Sequence, residues 1–340
     1  AEVHLKLELF QRTGSFKLRG ATNRIATLSD EQRENGVVTA SAVNHAQGVA
    51  LAATRIGVNS TIVMPEHAPI SKVKATRTYV HAFDDDHVMA GQGTIGLEIY
   101  DELPEVDTVV VPIGGGGLIS GIATAITSQQ PDVRVIGVQA EGASSVIDSL
   151  EAGEIRSRDS VDTVADGIAT RSVGEQPFEI IQERVDEVVT VSDEEIALAL
   201  TLLLERSKTV VEGAGAVALS ALLEGRFAYE EDEVIVPALC GGNIDMNVLT
   251  TVILRGMIQL GRYLKIRTVL PDRPGALESL IEIIADKGAN IYEIHHERTS
   301  REVGMSDTSV ELELETHGPD HAADLLATLR DAGYTVDVRK

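Results

Sequence analysis

Between Gly36 and about Gly242 the chain alternates short apolar runs with amphipathic stretches, and this alternation narrows its fold more than any other feature. The runs are Val37-Val38-Thr39-Ala40, Thr61-Ile62-Val63-Met64, Thr108-Val109-Val110-Val111, Val133-Arg134-Val135-Ile136-Gly137-Val138 and Val234-Ile235-Val236-Pro237-Ala238-Leu239. A strand wetted on one face alternates apolar and polar residues, whereas a continuous apolar run suits a parallel strand covered on both faces. The stretches between them read as helices. Ser29 to Gly36 opens on a capping residue, has Gln32 three positions on and ends in Gly. Ser192-Asp193-Glu194-Glu195 repeats the capping-box spacing and leads into Ile196, Leu200, Leu203 and Leu204. Strand–helix alternation of this kind predicts an α/β fold with a mostly parallel sheet.

Near Leu264 the pattern changes. Lys265 to Leu270 alternates like a strand, and Pro274-Gly275 leads into Leu277, Leu280, Ile281 and Ile284 at helical spacing, stopped by Gly288. Asn290 to Glu297 and Thr308 to Glu315 read as strands, Ala322, Leu325, Leu326 and Leu329 as a helical stripe, and Tyr334 to Val338 as a last strand. The order βαββαβ is ferredoxin-like. At roughly 150 residues per domain, 340 residues make about two domains and leave room for a small third. The expected division is 1–261 and 264–340, with the boundary near Gly261.

Charge and composition then exclude several partners. Fifty-three acidic residues face 29 basic ones, a formal charge of −24 that repels nucleic acid and anionic membranes. Only 8 of the 29 basic residues are Lys, and the acids are spread along the chain. Such a surface resembles those of salt-loving organisms, where salt screens self-repulsion. The single Cys, Cys240, forbids an intrachain disulfide and fits a reducing compartment. No apolar run reaches about 18 residues, and Ala1-Glu2-Val3-His4 does not read as a leader. A cytoplasmic protein is expected.

Five segments carry chemistry. Gly114-Gly115-Gly116-Gly117 follows a strand and precedes a helix, so its N–H groups can cradle a phosphate. A tight turn would need only one or two of these glycines. The spacing is neither Gly-x-Gly-x-x-Gly nor Walker A. Thr13-Gly14-Ser15-Phe16-Lys17 puts a Lys after a small polar turn, and a desolvated Lys is a nucleophile and base; most lysines are solvated surface groups. Ser41 to Gly48 collects uncharged hydrogen-bonding side chains after a strand, and Ser41 or Asn44 could equally cap a helix. Leu239-Cys240-Gly241-Gly242-Asn243 sits at another strand end, and Glu212 among small residues is either functional or a helix cap. Ligands of open α/β sheets gather at the C-terminal ends of strands, where three of these segments lie.

Together, Thr13 to Ala21, Ser41 to Gly48, Gly114 to Gly117, Asp166-Gly167-Ile168-Ala169, Glu212 to Ala216 and Gly241-Gly242-Asn243 resemble the pyridoxal-phosphate enzymes of fold type II, the tryptophan synthase β-like family. Within that family they resemble the threonine ammonia-lyases (threonine dehydratases). Asp272-Arg273-Pro274-Gly275-Ala276-Leu277 and the βαββαβ order resemble an ACT domain, an amino-acid-sensing module. The resemblance implies that Lys17 holds pyridoxal 5'-phosphate covalently and, once displaced by the substrate amine, takes the α-proton. Gly114, Gly115, Gly116, Gly117 and Leu118 would bind the phosphate, Asn44 the ring hydroxyl, and Cys240 would face the pyridine nitrogen. A neutral partner there leaves the ring unprotonated and favours loss of the β-hydroxyl over transamination. Ser41, Asn44, His45 and Gln47 would hold the substrate carboxylate. The cofactor phosphate would serve as acid for the leaving hydroxyl, and the products would be 2-oxobutanoate and ammonia.

For the tail, the resemblance implies feedback control by isoleucine or valine, with Asp272, Arg273, Pro274, Gly275, Asn290 and Ile291 as the effector site. It also implies a homo-oligomer, dimer or tetramer, paired through strand edges. No metal site is expected. Three departures stand out. The family has Gly where this chain has Val43, which would be strained if the position needed φ > 0. Between Arg77 and Thr78 the sequence reads as missing about one βα unit of the small lobe (roughly 36–100), an omitted segment rather than a true deletion, and its start looks truncated. Serine ammonia-lyase, serine racemase and threonine synthase share much of the site. A dehydrogenase with a regulatory domain, using Glu141 as a ribose-binding acid, and a non-enzymatic amino-acid sensor are the more distant readings.

Overall fold

The computed structural model describes residues 1–41, 43–64, 77–298 and 303–339. The described residues fall into two compact units, Ala1–Leu249 and Thr250–Lys340.

The first unit holds two sheets. In the larger one the order is β1 (Glu2–Val3), β9 (Val234–Leu239), β6 (Thr108–Pro112), β7 (Arg134–Ala140) and β8 (Glu187–Val191), with β2 (Lys6–Leu7) also on β9. Every one of these pairings is parallel, as the apolar runs predict. All five residues of β6 are buried. Ile113, Ile119, Ile122 and Ile126 fill the core beside it from the turn after β6 and from α5 (Gly117–Gln129).

The smaller sheet runs β4 (Ser60–Val63), β3 (Val37–Ala40), β5 (Thr78–Tyr79), again parallel. Against it pack α1 (Lys17–Ala26) and α3 (Asn44–Ile56), through Ala21, Ile25, Val49 and Ala53. Here one expectation fails in part. The run Thr61 to Met64 reads as a fully covered strand, yet among the described residues β4 lies at the sheet edge, where only Val63 is buried and Met64 is exposed. Both capping boxes form as expected. Ser29 caps α2 (Asp30–Asn35) with Gln32, and Ser192 caps α8 (Asp193–Leu202) with Glu195.

The second unit has the strand order β11 (Asn290–Glu297), β12 (Asp307–Glu315), β10 (Tyr263–Pro271), β13 (Val336–Arg339), all antiparallel. With α11 (Ala276–Asp286) and α12 (Pro319–Asp331) this is the ferredoxin-like arrangement. Leu264, Ile266 and Leu270 of β10 meet Leu280, Ile284, Leu325 and Leu329 in its core. The division falls inside α10 (Met246–Gln259), earlier than the expected Gly261, because the greater part of that helix clusters with the tail.

Candidate active site

The turn that presents Lys17 is fixed by the exit of β9. Gly14 sits at φ +71, and a Cβ there would lie 2.3 Å from the side-chain oxygen of Asn243. The Phe16 N–H donates to Cys240 O at 3.1 Å, and Gly242 N–H donates to Gly14 O at 2.9 Å. The Asn243 amide donates to Thr13 O at 2.7 Å. Residues at opposite ends of this unit's sequence are thus joined so that Lys17 starts α1 facing a cavity of about 280 Å³. That is close to the lower end of small-molecule sites, about 300 Å³.

The Lys17 amine donates to Ala82 O at 2.9 Å and lies 5.0 Å from the centre of the Phe16 ring. Burial lowers its pKa to about 8, against the opposing pull of Cys240 and Glu212. The solvated-surface reading of this Lys is therefore excluded. Cys240 is buried, and its thiol donates to Ala238 O at 3.2 Å. Burial pushes that thiol well above its usual pKa, so it faces the cavity neutral.

On the other wall stand residues from the start of α3. The helix is capped by Val43, with no side-chain cap, so neither Ser41 nor Asn44 is a cap. Val43 has φ −130, outside the region that demands glycine, and its side chain is exposed at the cavity mouth. Ala42 lies outside the described residues. Asn44 is held at both ends: its Nδ2 donates to Glu212 at 2.8 Å and its Oδ1 accepts from Asn243 at 2.8 Å. Glu212 begins α9 (Gly213–Leu223) without capping it, and burial raises its pKa. The functional alternative for this carboxylate is the one the geometry supports.

His45 is 3% exposed and its Nε2 pairs with Val80 O at 3.0 Å. Burial, with Lys17 nearby, lowers its pKa to about 3, so the ring is neutral and its Nδ1 has no partner.

The tetraglycine loop closes the far side. Gly116 has φ +92, a left-handed conformation that a side chain would strain. A Cβ on Gly115 would lie 2.4 Å from the Phe83 ring, and one on Gly117 would lie 2.5 Å from Phe83 O. These positions have no room for a side chain, and the first N–H groups of α5 have no acceptor one turn back. With the helix dipole they form an anion site.

Lys17, Ser41, Asn44, His45, Gly114 to Leu118 and Cys240 all line one cavity. Gln47 does not line it; it is exposed and accepts from Asn243 at 3.4 Å. Glu141 forms a turn after β7 and is not part of the wall. Residues the motifs did not single out also line it, among them Ala82, Phe83, Thr170 and Asp245. Ala82 and Phe83 come from a loop without a local signature, whereas Thr170 and Asp245 lie just beyond the Asp166 to Ala169 and Gly241 to Asn243 segments. In the second unit Asp272 pairs with Arg298 at 3.1 Å, Asn290 donates to Glu315 at 2.8 Å, and Ile291 packs on the core. Gly275, not Asp272, caps α11. Among the described residues no group of acids, His and Cys could hold a metal ion, and no helix is long and apolar enough to cross a membrane.

The family described as pyridoxal-phosphate dependent enzyme matches residues 1–79 and 75–241. The L-threonine ammonia-lyase of Thermotoga maritima is 46% identical over 366 aligned positions, covering 99% of this chain and 91% of its own. That of Geobacter sulfurreducens is 47% identical over 367, with the same coverage. The solved structure of processed threonine deaminase isoform 2 from Solanum lycopersicum superposes with a TM-score of 0.70 at 37% identity, over 75% of this chain and 79% of that one.

Proposed function

The chain belongs to the family of pyridoxal-phosphate-dependent enzymes, and from that premise we propose that it deaminates L-threonine to 2-oxobutanoate and ammonia. One observation carries this reading: a buried amine of lowered pKa, Lys17, shares a cavity with a side-chain-free anion cradle, Gly114 to Gly117.

The residues present fit pyridoxal phosphate. The cradle suits the phosphate ester, the Asn44 amide suits the ring hydroxyl, and the neutral Cys240 thiol suits an unprotonated ring nitrogen. When bound, the cofactor supplies an electron sink for the substrate α-carbon. The protein's part is to orient groups and to move protons. Lys17, with a pKa of about 8, is neutral in a useful fraction near pH 7 to 8 and can take the α-proton. Asn44 cannot rotate away, because Glu212 and Asn243 hold both ends of its amide. Ser41, Asn44 and His45 form the wall where the substrate carboxylate is read, with His45 uncharged.

The second unit is read as an ACT-like regulatory domain, supported by its βαββαβ order and antiparallel sheet. Feedback by isoleucine or valine at Asp272 to Gly275, Asn290 and Ile291, a homo-oligomer, a place in isoleucine biosynthesis, a halophilic source and a cytoplasmic setting complete the proposal. The lack of a βα unit after Arg77 is supported by the two family stretches that meet at residues 75–79, and by alignments longer than the chain.

The deciding experiment is a 2-oxo-acid assay on the purified protein with threonine and with serine, with and without isoleucine, in high salt. Release from threonine that Lys17→Ala abolishes supports the proposal. A preference for serine redirects it to serine ammonia-lyase, and racemisation without 2-oxo acid overturns it.

A further inference from the structure

Behind the cavity wall, one side chain staples the loop that meets Lys17. His81 lies just past β5 and does not itself line the cavity. Its Nδ1 accepts from two backbone donors of its own loop, Phe83 N–H at 3.3 Å and Asp84 N–H at 2.8 Å. Asn and Asp close turns in this way with a side-chain oxygen. Here a histidine does so, its ring set edge-on to the Phe83 ring with 4.6 Å between centres.

The Ala82–Phe83 peptide is therefore held on both sides. A trans peptide is planar and points its C=O and N–H in opposite directions, and among the described residues none is cis. The N–H goes to His81, and the C=O accepts from the Lys17 amine at 2.9 Å. Turning this plane to break one bond breaks the other. The flanking residues are anchored elsewhere. Val80 N–H donates to Val38 O at 2.8 Å, and Val80 O accepts from the Thr39 hydroxyl at 2.8 Å. The Asp84 carboxylate accepts from Glu175 N–H at 3.1 Å and Gln176 N–H at 3.3 Å, at the start of the helix Glu175–Arg184. The ends of the loop are thus fixed without His81, and what His81 governs is the orientation of the peptide between them.

We infer that His81 is a positioning residue for Lys17: its Nδ1 holds the Ala82–Phe83 peptide so that the Ala82 carbonyl faces the amine and sets where that nitrogen rests. The inference rests on the reading of Lys17 as the amine that binds the cofactor, and assigns a residue outside both the cavity wall and the motifs. Attack on a carbonyl carbon demands close alignment, and a nitrogen displaced by about 1 Å can lose orders of magnitude in rate.

The test follows capture of an aldehyde by apoprotein, stripped with hydroxylamine, using stopped-flow absorbance. The Lys17 nitrogen bonds to the aldehyde carbon and one water leaves. Pyridoxal phosphate and pyridoxal, which lacks the ester, are the two probes. His81→Asn offers Oδ1 near the place of Nδ1 and is expected to capture both at the wild-type rate. His81→Leu fills the space without an acceptor, and His81→Gln carries its acceptor one bond further out. Both are expected to slow capture of both probes about 10-fold, and the Gln variant carries the comparison if the Leu variant does not fold. Inorganic phosphate, added as a competitor of pyridoxal phosphate, reads the glycine loop separately. Its inhibition constant is expected to be the same in all these proteins, whereas a general loosening of the fold would weaken it too. Capture by His81→Asn as slow as by His81→Leu, wild-type rates in the Leu and Gln variants, or a phosphate constant that weakens in step with the rate overturns the inference. Wild-type apoprotein that captures neither probe overturns the functional reading on which the inference rests.

Discussion

The side-chain amide of Asn44 donates to Oε1 of Glu212 at 2.8 Å, joining residues 168 positions apart. This bond joins the start of α3 to the residue before α9, both in the cavity wall, and fixes which way the amide faces. Gln at position 212 can still accept from Asn44 and Ala cannot. Glu212→Gln should therefore keep the greater part of kcat/KM, and Glu212→Ala should lose about 10-fold, the worth of roughly 1.4 kcal/mol of lost orientation. Steady-state kinetics on the two variants check it.

Lys17 sets a pH dependence that can be read without turnover. Only the neutral amine attacks an aldehyde, and burial brings its pKa to about 8. The rate at which apoprotein takes up pyridoxal phosphate should rise with pH and level off above about 8, rather than above the ordinary value of 10.5. Stopped-flow absorbance measures it, with Lys17→Ala as the silent control.

Gly115 faces the Phe83 ring too closely to accept a methyl group, which would lie 2.4 Å away. Gly115→Ala must push the ring or the loop aside, and overpacking costs about 1–3 kcal/mol. Cofactor affinity should fall at least 10-fold, read by titration, and melting temperature should fall with it.

His45 stays neutral in the fold down to about pH 3, while an unfolded His takes a proton near 6.5. The unfolded chain therefore binds the extra proton as pH falls, so stability drains away from about pH 6.5 down to about 3. His45→Gln, which keeps a donor for Val80 O and does not titrate, should flatten that part of the stability profile. Denaturant melts across the range test it.

Arg19 forks between two carboxylates, Glu8 and Glu98, at 2.6–2.8 Å. The Glu8 side chain is only 2% exposed. Arg19→Ala leaves a buried charge without its partner and should destabilise by about 3–5 kcal/mol. A urea midpoint lowered by that amount at unchanged slope is the expected result.

The strands and the capping boxes were legible because their signals are local: β6 is buried on both faces and its sequence is apolar throughout. The same rule misjudged Thr61 to Met64, since position within a sheet is set by distant strands rather than by the run itself. Lys17 and the four glycines could be picked out because their chemistry demands those residue types. Phe83 and Thr170 could not. Nothing in the neighbours of Phe83 says that it stands in the cavity wall, and Thr170 lies one position beyond the Asp166 to Ala169 motif; the folded chain brings both there. Val43 departs from the family pattern at φ −130, outside the positive-φ region that favours glycine. The role of Glu212 was ambiguous for a related reason: a lone carboxylate is defined by its partner, and its partner Asn44 lies in another segment.

β9 is the last strand of its sheet to be synthesised, yet it lies between β1 and β6. A nascent chain leaving the ribosome therefore carries an open slot until residue 239 has emerged. Until then the Lys17 turn has neither Cys240 nor Gly242 to bind. A polypeptide truncated before β9 would contain the lysine and all four glycines and still fail to grip the coenzyme. Pairing across so long a stretch of sequence is slow, since loop closure precedes any reward from contact. The exposed strand edges would be open to aggregation in the meantime. Cofactor capture thus reports on completed synthesis of the catalytic unit, and makes a direct readout for its folding in the cell.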